Sequence, residues 1–398
     1  MTLKAIVPET RGAFILAEKV KNVGVVGGGT IDGSGKDFGI PKKENEVKNR
    51  AHLLRFKECQ NIRVQGVNLY SSWSWTLDLR QCDTVFIEGI HLLGHANHNN
   101  DGIDIDAKNV VITNCIIDCG DDAICFKSQK KDFIVENVTV SNCVIASNCN
   151  FIKFGTANLG GFKNIAISNC VMRHCSDTVV WHWEKLLADK GVEYPITGIS
   201  GIALEAVDGG FLEQVNISNI SMTGIQTPIF IRVGHRNKDE TKSSISNVII
   251  SGVTAKSESW IANSITCVEG HTLRNITISD CYLNMKATVK DKIPADLLEG
   301  NIPEKVSGYP ENRMFGSVLP AYGFYVRRAQ NLTFDNVQIA YYGADETRPA
   351  FFLDQSNDVR IMNCIWQKSK GGTKSIMLKN SPEPYQFNNT EKEDSFLD

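Results

Sequence analysis

A short phrase recurs along this chain and limits what it can fold into more than any other feature. It reads NVGVVGGGTIDG from Asn22, NIRVQGVNLYSS from Asn61, TVFIEGIHLLGH from Thr84, NVVITNCIIDCG from Asn109, NVTVSNCVIASN from Asn137 and NIAISNCVMRHC from Asn164. It returns from Gln214, Asn247, Asn275, Asn331 and Asp358, and uninterrupted copies lie 23 to 28 residues apart. Each copy alternates apolar and polar residues, turns at Asn, Asp or Gly, and alternates again, which is two short strands around a bend. A strand pair of that size cannot bury its own apolar face, so successive copies must stack. The reading is an all-β, single-stranded right-handed parallel β-helix of about ten to eleven coils, forming one domain over residues 1–398. The longer intervals, residues 181–213 and 285–330, are expected to be inserted loops. The first coil arrives early in the chain, so any N-terminal cap is expected to be short or clipped.

The cysteines agree with stacking. Cys115, Cys143, Cys170, Cys281 and Cys364 each fall six residues after the start of their copy, and Cys59 and Cys82 share another register. Such columns suit buried free thiols rather than a disulfide framework. No CxxC pair or Cys/His spacing suggests zinc. A formal net charge of −3 offers no basic excess for a nucleic-acid partner. No apolar run reaches the ~18 residues of a membrane span.

The stretch NNDGIDIDAKNVVITNCIIDCGDDAICFKS carries the chemistry. Asp101, Asp104 and Asp106 lie in its first half, Asp118 in the middle, and Asp121 and Asp122 in its second half. Asp101 precedes Asp121 and Asp122 by 20 and 21 residues, close to one coil. Equivalent positions on neighbouring coils lie ~4.8 Å apart, so these acids are expected to share one exposed groove. Crowding of that kind raises at least one carboxyl pKa. A lone Asp at a β-helix bend is ordinarily structural, satisfying backbone groups. An adjacent Asp-Asp one coil from another Asp points instead to acid–base chemistry, or to a hard cation such as calcium.

In VKNVGVVGGGTIDGSG, NNDGIDI and CGDDAICFKS the chain resembles glycoside hydrolase family 28, the polygalacturonase family, from about Gly24 to past Arg236. The resemblance implies a pectin-lyase-like coil and metal-independent, cofactor-free inverting hydrolysis of a pectic or related uronic polysaccharide or oligosaccharide. It implies Asp121 as the general acid, with Asp101 and Asp122 activating water. The substrate class favours a periplasmic or secreted location. An inverting pair needs a base roughly 6.5–9.5 Å from the acid, with room for water, and adjacent coils are expected to supply it.

The chain departs from the family at two motifs. Gly-His-Gly is missing, with Asn150 near the histidine position, and Arg-Ile-Lys is missing as well. Asn150, Lys127, Lys153, Arg232 and His235 are expected to contact substrate, with Arg236 nearby, and Lys153 is equally readable as a solvated strand lysine. Glu205 and Asp208 in GIALEAVDGG reach either the cleft or a bend. Trp181, His182 and Trp183 suit a sugar-stacking wall or a loop plug, and Trp73 and Trp75 a subsite or core. Different cations leave rhamnogalacturonan or another glycan open as substrate, and bulky insertions open the option of exo-cleavage. Two rivals remain: a polysaccharide lyase on the same coil, using Lys or Arg and calcium, and a non-catalytic glycan-binding β-helix.

Overall fold

The computed structural model describes residues 12–39, 50–177, 189–194, 196–237, 239–288, 290–294 and 296–397. Among these the chain forms only strands and four short 3-10 turns. Every strand pairing is parallel, and non-consecutive strands pair throughout. One ladder passes from Ala13–Glu18 through His52–Lys57, the first halves of Leu77–Glu88 and Ile103–Thr113, then Ile124–Ser128, Asn150–Asn158 and Gly198–Ala206. A second runs from Lys21–Val26 through the later halves of the long strands, and a third from Thr30–Asp32. The three ladders are the faces of a parallel β-helix.

Alternation decides which residues enter the coil. In Gly161–Met172 the buried positions alternate with exposed ones, and Ile165, Ile167 and Cys170 fill the interior. The twelve cysteines are free thiols, and all but Cys149 are buried. No helix among the described residues is long and apolar enough to cross a membrane.

The repeat's Asn residues have a geometric cause. Asn109, Asn137, Asn164, Asn247 and Asn275 have φ between 54° and 60°, a left-handed corner that Asn tolerates better than other side chains. Their amides stack between coils: Asn137 Nδ2 donates to Asn109 at 3.0 Å, and Asn164 Nδ2 donates to Asn137 at 2.8 Å. Asn164→Ala is therefore expected to cost roughly 1–2 kcal/mol, from corner strain and lost amide bonds. Asn164→Gly should cost less, because it removes the amide but not the backbone freedom. Thermal unfolding of both variants checks that order.

Two expectations change. Residues 181–213 are not all loop, because Gly198–Ala206 is a fully buried strand paired on both sides. Its apolar run lacks the repeated phrase, which hid it. The stack also continues past the copy at Asp358: Tyr385–Phe387 pairs with Asn357–Met362 and Thr390–Lys392 with Ile365–Gln367. That coil was not in the count of ten or eleven, since its strands are too short to spell the phrase.

Candidate active site

The strand Ile103–Thr113 lies beside Ile124–Ser128, with Asp104 opposite Cys125, and Cys125 opposite Lys153 on the next coil. The bends before these strands are locked together. Gly102 N donates to Asp122 O at 2.9 Å, Asp121 N to Asn100 O at 3.3 Å, and Ala123 N to Asn150 O at 2.8 Å. Asp101, Asp121, Asp122 and Asn150 are thereby held on three neighbouring coils. The acids are not in an open groove, as expected, but largely enclosed. Asp101 and Asp122 are each 3% exposed, and Asp121 is half-buried.

Two lysines divide the acids between them. Lys127 Nζ lies 3.7 Å from Asp101 and 3.4 Å from Asp104. Lys153 Nζ lies 3.2 Å from Asp122 and 3.8 Å from Glu205, and donates to the Tyr309 hydroxyl at 3.2 Å. Burial works against charge on both ammoniums, but the carboxylates around them overcome it and hold both protonated. Five carboxyls (Asp101, Asp104, Asp121, Asp122 and Glu205) thus face two cations. A buried cluster avoids uncompensated charge, so most of these acids must keep a proton.

The neighbours determine which acids keep it. Burial pushes Asp121 up, and the charge of Asp122 pushes it further. Burial acts on Asp122 too, but Lys153, Lys127 and the Asn150 amide outweigh it and hold this carboxyl below its usual range. Asn150 Nδ2 donates to Asp122 Oδ1 at 2.7 Å. Asp101 is raised well above its usual value by burial, then by Asp104 and Asp121. Burial lifts Asp104 and Glu205 to about 8 and Asp106 to about 7. Adjacent carboxyls are therefore driven in opposite directions, Asp121 toward the acid and Asp122 toward the carboxylate. That is the protonation split an acid–base pair needs.

The remaining expected residues separate. Lys127 and Lys153 act as counterions of the acids rather than as free cations for a substrate, and Asn150 orients Asp122. Arg232 is 1% exposed and donates to the carbonyls of Glu304 and Lys305 at 2.9 and 3.1 Å. Its guanidinium fastens the segment above it, which corrects its reading as a substrate contact. His235 bonds through its backbone to Val306, on that same segment, and packs edge-on against His271. Trp181, with His182 and Trp183, lies outside the described residues. Asp208 is held by Arg236 at 2.7 Å, and Asp118 by His95 at 2.6 Å and Arg173 at 2.9 Å. Trp73 stacks on Phe38, whereas Trp75 lies beneath Lys127 at 5.0 Å.

Three contributors were not singled out from sequence. Asn99 Nδ2 donates to Asp121 Oδ2 at 3.3 Å, and the Cys149 thiol lies within 4.8 Å of both Asp121 and Asp122. Tyr309 arrives from far along the chain. Asn99 carried the one available signal, its place in NNDGIDI two residues before Asp101, and the structure gives it the positive φ (51°) that Asn tolerates.

This fold and site define a parallel β-helix with a largely enclosed acid cluster. The family model for glycosyl hydrolases family 28 matches residues 3–147, which contain Asp101, Asp121 and Asp122 but not Glu205. A probable polygalacturonase of Arabidopsis thaliana is 26% identical over 65% of this chain and 56% of its own length. A polygalacturonase of Persea americana is 25% identical over 68% of this chain and 58% of its own. The chain therefore spans little more than half the length of these relatives. A hyperthermoactive exopolygalacturonase from Thermotoga maritima shares the fold, with a TM-score of 0.54 at 18% identity over 71% of each chain. The family model and the relatives make the chain similar to glycoside hydrolase family 28, the family its motifs resemble, and the Thermotoga maritima structure shows the shared fold.

Proposed function

We propose that this protein is a pectin-directed glycosidase of the polygalacturonase type, acting on a right-handed coil by inverting hydrolysis without a metal. The observation that carries the reading is the opposite drive on Asp121 and Asp122 at one bend, with Asp101 on the preceding coil. Asp121 delivers its proton to the departing glycosidic oxygen. Asp122 stays ionised and accepts a proton from the attacking water. Asp101, which burial, Asp104 and Asp121 push well above its usual range, orients that water by hydrogen bonding. Some oxygens of Asp121 and Asp122 lie within 4.8 Å, below the ~6.5–9.5 Å of a two-carboxyl inverting pair. That spacing is nearer a retaining pair's, so the anomer of the first product decides between the two modes; for inversion the water is placed between Asp122 and Asp101, on neighbouring coils joined by the Gly102 N to Asp122 O bond.

The lyase alternative asks for a neutral Lys or Arg to abstract a proton. Lys127 and Lys153 are instead held charged by their carboxylates. The test is digestion of a panel of pectic oligosaccharides, followed by product mass and ultraviolet absorbance. Products carrying one added water and no new absorbance are expected. Absorbing, unsaturated products would make it a lyase, and no cleavage would leave it a binding protein.

A further inference from the structure

The segment between the strands Thr272–Lys286 and Phe324–Arg327 folds over the outer face of the acid-bearing ladder. On that face the column holding Asp104, Cys125 and Lys153 continues through Ala203, Phe230, Ser264, Tyr325 and Phe352. Its members from Ala203 onward are 1% exposed or less. Phe315 and Leu319 of the segment pack into one cluster with Tyr325 and Phe352. Asn312 of the segment bonds Ile199 O on the strand Gly198–Ala206, so the segment covers the outer face that carries the acids from two coils beyond Asp122 onward.

Buried polar groups fix the seal in place. Arg232 donates to its carbonyls as described above, and Arg327 donates to Ile302 O at 2.8 Å. Arg348 donates to Ala321 O at 2.8 Å while paired with Glu346, both fully buried. Asn312 Nδ2 reaches back to Ile199 O at 3.1 Å. So many buried donors spent on one segment's carbonyls make it a wall rather than a mobile lid. At its edge Tyr309 is 56% exposed, and Lys153, which bonds its hydroxyl and lies 5.3 Å from its ring centre, also pairs with Asp122.

We propose that this wall closes the cleft on the C-terminal side of the acids, so that the protein works from the end of a glycan chain. Tyr309 is then the ring on which the terminal sugar stacks. Two coils leave ~10 Å along the axis, room for only one or two sugar rings. An exposed phenol ring supplies the apolar face that a pyranose C–H surface needs, while its hydroxyl is already engaged. The proposal rests on the glycosidase reading and concerns where on the polymer that activity falls.

The experiment follows polygalacturonan digestion by product size from the earliest times, in the unaltered protein and in Tyr309→Ala and Tyr309→Phe. Mono- or disaccharide should be the first product, while the remaining polymer shortens slowly. Tyr309→Ala should raise KM roughly tenfold with a small change in kcat, and Tyr309→Phe should restore it. A ladder of intermediate lengths from the outset overturns the closed end and leaves hydrolysis standing. Equal loss in both variants, or none in either, overturns the stacking role. Absence of new reducing ends from any glycan contradicts the hydrolase reading itself.

Discussion

Asp121→Asn is expected to lower kcat by ~10²–10⁴ on natural glycans while leaving the fold intact. Asparagine keeps the shape and its place beside Asn99 but has no proton to transfer. Departure of a sugar alkoxide needs that proton, and Asp121 is the carboxyl that burial and Asp122 drive toward holding one. The loss should shrink on an aryl glycoside whose leaving group departs without protonation. Asp122→Asn should be equally damaging on both substrates, because water must still be activated. Comparing the two variants on the two substrates separates acid from base. A loss at Asp121 that does not depend on the leaving group contradicts the assignment.

Lys153→Met is expected to act through Asp122. The ammonium stands between Asp122, Glu205 and Tyr309, and its removal orphans buried carboxyls at a cost of ~3–5 kcal/mol, so the thermal midpoint should fall. Burial raises a carboxyl pKa, and in the native site Lys153 is the largest influence opposing it at Asp122. Without Lys153 the folded-state pKa of Asp122 rises, and a base works only when ionised. The acid limb of kcat/KM must therefore move to higher pH, and activity on that limb drops about tenfold per pH unit of displacement. A lysine that gripped a substrate carboxylate would behave differently, raising KM and leaving the limb in place. The pH profile of the variant distinguishes these outcomes.

How much of this was legible in the sequence depended on distance along the chain. The coil was readable because each copy repeats both its alternation and its corner Asn, and the corner is a local requirement of the backbone. The acids were readable because 20 and 21 residues separate partners that lie one coil apart. Their enclosure was not, since it comes from segments with no repeat signal. Lys153 was visible as a cation near the acids, but a sequence does not reveal that Asp122 and Glu205 already use its charge. Arg232 misled for a related reason: it stands in the right column, one coil after Glu205, but under a covering segment. Tyr309 had no signal at all, lying in an insertion more than a hundred residues from its partner Lys153. Gly198–Ala206 hid because a strand buried on both faces does not alternate.

The central claim is that Asp122, kept ionised beside a protonated Asp121, activates a water that displaces the glycan directly. Proton NMR of the first product formed from a reduced pectic oligosaccharide tests this in a single measurement. The anomer opposite to that of the cleaved linkage should appear first and then mutarotate. A first-formed anomer matching the linkage would show a covalent intermediate and contradict the account.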